Sequence, residues 1–199
     1  YLFAGIAIFF WSTVASAFKL SLEHLEPIQL VLYSTLFSIC VLFIIVLYQG
    51  KLNLIGSFSR SDLIKCALLG FMNPCLYYII LFKGYDALPA QEAMVINFSW
   101  PVMLVILSIP ILKQTIDIKS FLSIIVCYFG VIVIATNGDI FSMQFENPFG
   151  VFLMLISTVI WSLFWLFNTK NSKDSLVSLF LIFLFSFPFI LLFVLLTNS

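Results

Sequence analysis

The sequence predicts an all-α integral membrane fold with seven transmembrane helices. Three observations carry that expectation. The chain is 63% hydrophobic and only 9% charged, whereas a soluble domain carries roughly 25% charged residues. That leaves too little polar surface to cover a water-facing globule, and within a bilayer only helices and closed barrels satisfy the backbone. The apolar residues also come in unbroken blocks of about 20, the length that crosses a hydrocarbon core as a helix. Barrel strands would instead alternate over about 10 residues. Finally, short linkers carrying Pro, Gly, Asn and charge separate the blocks.

The seven spans are read at 1–20, 27–48, 62–83, 87–111, 118–136, 148–168 and 176–197. Span one opens at Tyr1 with no basic leader before it, and span seven ends just before Ser199. The chain therefore reads as part of a longer protein. Span two starts at Glu26-Pro27, since proline suits the first turn of a helix. Gln49-Gly50-Lys51 and Ser57 to Ser61 form the polar loop before span three. Between spans five and six, Asn137-Gly138-Asp139 and Glu146-Asn147-Pro148 bracket a short segment, 140–145, expected at the membrane interface.

Basic residues set the orientation. Lys51, Arg60, Lys65, Lys113, Lys119, Lys170 and Lys173, seven of the nine, fall in or beside the loops after spans two, four and six. Lys19 and Lys83 alone sit at the other ends. The seven-basic side is expected in the cytoplasm, together with the N-terminus, in a cell membrane.

Trp11-Ser12 lies midway along span one and Trp161-Ser162 midway along span six. The same shift of about 150 residues aligns 27–48 with 177–198. An odd number of spans separates the copies, so the second copy enters the membrane with the opposite orientation. Inverted repeats of this kind mark secondary transporters. The repeats are placed at 1–137 and 148–199, the second of them truncated.

Polar groups inside a membrane helix need partners or water. They collect at similar depth here: Trp11 and Ser12 in span one, Asn73-Pro74 in span three, Asn97 to Pro101 (with Trp100) in span four, and Trp161 and Ser162 in span six. Each proline frees a carbonyl one turn earlier, and broken helices at mid-membrane commonly line a substrate site. Each residue taken singly also has a packing explanation: serines bond back to their own helix, and small residues let helices approach. The coincidence in depth favours a central cavity. Tyr77 and Tyr78, one turn beyond Asn73, either line it or belong to an interfacial aromatic belt.

Two charges stand apart. Glu92 sits in the first turn of span four, where the helix dipole stabilises an ionised carboxylate; the competing role is proton coupling by a partly buried acid. Lys19 snorkels to the interface or pairs with an anionic group of a substrate.

Cys40, Cys66, Cys75 and Cys127 lie in apolar blocks without CxxC spacing, and His24 is alone in a loop. No metal, disulfide or cofactor is expected, and with no basic run nucleic acid is excluded as a partner. Serine-type intramembrane catalysis would need a histidine at depth, and the aspartates all lie at helix ends or in loops, so an enzyme is not expected. A retinal protein needs a lysine in its last helix, and 177–197 holds none. A seven-helix receptor-like protein or a channel is the alternative reading.

Four stretches resemble the EamA branch of the drug/metabolite transporter superfamily. They are Phe10-Trp11-Ser12 followed by Lys19 and Pro27; Gly84 to Ala93, through Asp86, Pro89 and Glu92; Asn97 to Pro101 continuing into Leu104 and Leu107; and Gly130-Val131 with Ala135-Thr136. The resemblance covers the whole chain. It implies a ten-helix fold of two inverted five-helix repeats, of which this chain holds the first repeat and two helices of the second. It further implies an exporter of amino acids or related small metabolites. The sequence carries no ATP-binding P-loop, so the expected energy source is a substrate or ion gradient, with a proton or counter-substrate as coupling partner. The sequence departs from the family pattern at Tyr33-Ser34 and Lys113-Gln114.

Overall fold

The computed structural model describes residues 1–136, 138, 147–169 and 172–197. The interfacial segment expected at 140–145, its flanking residues Asn137, Asp139 and Glu146, and Lys170 lie outside the described residues. All seven predicted spans are helical. They are α1 (Leu2–Leu22), α2 (Pro27–Tyr48), the third span as α3 (Arg60–Gly70) and α4 (Tyr77–Ala87), the fourth as α5 (Ala90–Asn97) and α6 (Trp100–Leu112), then α7 (Ile118–Ala135), α8 (Pro148–Asn168) and α9 (Ser175–Thr197). Among the described residues six spans are long and apolar enough to cross a membrane, and α7 is shorter. Its 18 residues rise about 27 Å at 1.5 Å each, close to the core thickness.

Local sequence explains the boundaries. Ser59 caps α3 by accepting from the Asp62 backbone N–H, while the Asp62 carboxylate accepts from the Ser59 N–H, a reciprocal capping box. Asp117 caps α7 by accepting from the Ser120 N–H at 3.0 Å. Lys113 ends α6 in a left-handed conformation.

Both expected breaks are present. Between α3 and α4 the backbone widens into a π-type turn over Phe71–Leu76, and Asn73 leaves helical geometry at φ −150°, ψ 118°. Pro74 has no N–H to donate back along the helix. In the fourth span the helix stops at Asn97 and restarts at Trp100, with Pro101 in the first turn of α6. The proline thus begins a helix instead of kinking one, a position that suits its missing N–H.

The chain divides into two compact units. One comprises residues 1–27 and 80–159, the other residues 28–79 and 160–199, so the division falls within α4 and within α8. In the first unit α5 packs against α1 and α7. Phe18 meets Phe82 and Tyr85 edge-on, at centroid distances of 4.7 and 5.4 Å. Asn147 caps α8 by accepting from Gly150 N–H at 2.9 Å and also donates to the Ala87 carbonyl at 3.1 Å.

In the second unit α9 packs along α3 and the π turn, around a core that includes Val46, Phe58, Cys66, Leu69, Phe164 and Val177. The loops after spans two and six meet at one end of this unit. Lys51 donates to the Asp174 carboxylate at 2.8 Å. Lys173 donates to the Ser57 carbonyl at 2.7 Å, lies 3.4 Å from Asp62 and sits over the Phe58 ring. Two of the loops that the charge pattern assigned to the same side are therefore in contact.

The Lys51 ammonium, followed by the Val177 backbone N–H, holds the Asp174 carboxyl below its ordinary value. A depressed carboxylate stabilises the fold above its unfolded pKa, and that contribution is lost as pH falls through the folded one. The expected result is a wild-type thermal midpoint that is flat near neutrality and drops at acid pH. Lys51→Met should blunt the drop; an unchanged acid limb in that variant would show that the pair does not contribute.

Candidate functional site

The candidate residues gather within each unit around its own helix break. In the first unit the break at Phe98–Ser99 places Asn97 at the end of α5, 8% exposed. Its amide Nδ2 donates to Ser157 Oγ at 3.0 Å, and Ser157 in turn donates to the Met154 carbonyl at 2.6 Å. Ser157 and Thr158 are fully buried on α8. Ser99 donates to the Ile96 carbonyl at 2.7 Å. Trp11 is 55% exposed and meets Phe98 edge-on, with centroids 6.3 Å apart. Ser12 donates back to the Phe9 carbonyl at 2.8 Å, the back-bonding typical of membrane helices. Trp100 is half-buried in the first turn of α6.

Glu92 is 6% exposed in the first turn of α5. It is more deeply buried than an interfacial helix start requires, because α5 is covered by α1 and α7. Lys19 reaches from the last turn of α1 to the Tyr85 carbonyl, donating at 2.6 Å. That carbonyl belongs to the last turn of α4, where a cation complements the negative end of the helix dipole.

In the second unit Asn73 is 5% exposed, and its side-chain oxygen is buried with no hydrogen-bond donor beside it among the described residues. Such an acceptor costs about 1–3 kcal/mol when left unmet, which makes the π turn a place where a donor is wanted. Tyr77, one turn on, lies against the Trp161 ring at 4.7 Å and against Tyr78 at 4.9 Å. Trp165 and Phe164 extend the cluster at 6.0 and 6.2 Å from Trp161. Ser162 is fully buried. Tyr77 is itself buried, a setting unlike an interfacial belt.

The two Trp-Ser copies therefore have different surroundings: Trp11 is mostly exposed, whereas Trp161 sits in an aromatic cluster. Ser157 and Thr158 escaped sequence reading because a serine or threonine in a membrane helix usually bonds to its own backbone, as both do here. Their only local signal is the short distance along α8 to Trp161. Among the described residues no three His, Cys, Asp or Glu side chains gather where a metal could bind.

Membrane-length helices, two of the spans interrupted at mid-length, and buried amides at the interruptions together define a multi-pass membrane protein of the transporter class. The chain belongs to the EamA-like transporter family, whose model matches residues 1–136. It is similar to an uncharacterized transporter of Archaeoglobus fulgidus, 28% identical over 156 residues that cover 78% of this chain and 52% of the relative. An uncharacterized transporter of Methanothermobacter thermautotrophicus is 24% identical over 169 residues, covering 79% of this chain and 49% of the relative. The chain thus spans about half the length of the curated relatives it matches. No solved structure matches it.

Proposed function

We propose that the protein is a secondary transporter that exports amino acids or related small metabolites, working by alternating access between two inverted repeats. The first repeat is 1–137 and the second begins at 148–199. The observation that carries this reading is the pair of mid-span breaks, at Asn73-Pro74 and at Phe98–Ser99, each beside a buried amide. Interrupted helices at the midplane are where secondary transporters hold substrate. Trp11, Ser12, Asn73, Tyr77, Tyr78, Asn97, Trp100, Trp161 and Ser162 are the proposed substrate-contacting set. The N-terminus is assigned to the cytoplasmic face of the cell membrane, in keeping with the positive-inside distribution of lysine and arginine.

The test is flux. Purified full-length protein in liposomes should accumulate or exchange an amino acid or a related metabolite. Folded protein that moves nothing across a broad metabolite panel would overturn the proposal.

Glu92 is assigned the coupling role, because it is a carboxylate only 6% exposed in the first turn of α5, and acidic side chains inside membrane helix bundles mark proton relays. Imposing a pH gradient should drive flux in the wild type. Glu92→Gln should leave exchange intact and abolish the gradient's effect. Gradient-driven flux that survives in Glu92→Gln would remove the residue from that role.

A further inference from the structure

A groove of about 540 Å³ runs along the second unit, apart from the helix-break side chains considered above for substrate, and is lined by Asp62, Lys65, Leu68, Met72, Phe167 and Ser172 among others. Its volume is in the range that holds a small ligand. The α3 residues fall at three- and four-residue spacing, so they form one stripe on one helix face. Polar groups occupy one end of the groove and apolar groups the rest. From Asp62 in α3 to Met72 at the start of the π turn, ahead of the non-helical Asn73, the chain climbs about 15 Å at helical rise, half of a hydrocarbon core of roughly 30 Å. The groove therefore has the length and polarity of one bilayer leaflet.

Charge selects among amphiphiles. Asp62 faces Lys173 at 3.4 Å and accepts from Ser59, whereas Lys65 is exposed and no acidic side chain among the described residues pairs with it. Arg60 lies exposed in the first turn of the same helix. Leu68 is 62% exposed along the apolar part. We propose that this groove binds an anionic phospholipid, with one acyl chain against Leu68, Met72 and Phe167 and the phosphate at Lys65. Basic pockets between membrane helices recognise anionic headgroups in this way.

The experiment is native mass spectrometry of the purified full-length protein, offered phosphatidylglycerol and phosphatidylcholine of the same chain length in equal amounts. The wild type should retain one phosphatidylglycerol in preference to phosphatidylcholine. Lys65→Gln should reduce that preference roughly fivefold, the effect of removing one basic charge at a lipid surface. Leu68→Trp, a change at an exposed position, should fill the groove and release both lipids. Circular dichroism matching the wild type would show that both variants are folded. Equal retention of the two lipids, no retained lipid, or a preference unchanged in folded Lys65→Gln would each overturn the proposal, and so would lipid binding that survives Leu68→Trp.

Discussion

Gly70→Ala should be the most damaging single-methyl change in the chain. Gly70 ends α3 where α9 passes closest. A Cβ there would collide with the Ile182 backbone carbonyl oxygen and lie 3.1 Å from the Ser186 nitrogen. Both obstructions are backbone atoms of a packed helix, so neither can rotate away, and overpacking of a rigid site costs about 1–3 kcal/mol or more. Small residues at such crossings are what let membrane helices approach. Gly84→Ala should be milder, because the new methyl meets the Met154 side chain, which can change rotamer. Gly130→Ala meets nothing within 4 Å in the interior of α7 and should gain roughly 1 kcal/mol of helix propensity. Thermal midpoints in one detergent should therefore fall in the order Gly130→Ala, wild type, Gly84→Ala, Gly70→Ala. A Gly70→Ala midpoint equal to the wild type would mean that α3 and α9 do not pack as described.

Asn97→Ala should reduce flux far more than it reduces stability. In the wild type the Asn97 amide donates to Ser157, and Ser157 spends its own proton on the Met154 carbonyl. Removing the amide leaves Ser157 still donating but breaks the interhelical hydrogen bond between the two side chains. Such bonds average about 0.6 kcal/mol in a membrane bundle and reach about 1.7. Ser157→Ala should cost a similar amount. Transport is a different matter if Asn97 contacts substrate: losing a substrate contact of about 1.4 kcal/mol slows flux roughly tenfold. Unfolding in mixed micelles and flux per folded protein, measured on Asn97→Ala, Ser157→Ala and the double variant, separate the two effects. Flux that falls only in proportion to the folded fraction would assign Asn97 to packing.

The sequence and the structure agree most closely where the signal is local. Each span is a long apolar run bounded by Pro, Ser, Asp or Gly, and the helices begin and end within a few residues of those marks. The breaks were legible because proline lacks an N–H wherever it stands, as at Pro74 and Pro101. Pairings between distant residues were not. Nothing near Asn97 names Ser157, 60 residues on, and nothing near Lys51 names Asp174, 123 residues on. Lys19 shows the same limit: a lysine at a helix end looks solvated until a carbonyl from another helix, here that of Tyr85, arrives beside it. The depth of Glu92 was hidden for the same reason, since burial depends on which helices cover α5.

The second unit is assembled from residues 28–79 and 160–199, so residues 80–159 are synthesised between its two parts. Until α9 emerges, α3 has no backbone against which to seat Gly70, and Lys51 has no Asp174. Domains generally form as their segments leave the ribosome, and contacts between remote segments form late. The first unit joins residues 1–27, made at the outset, to the run 80–159, and its last residue in this chain is Val159. The order of synthesis therefore finishes one unit while the other waits half-built in the membrane, with the Gly70 end of α3 open to whatever helix or lipid comes first.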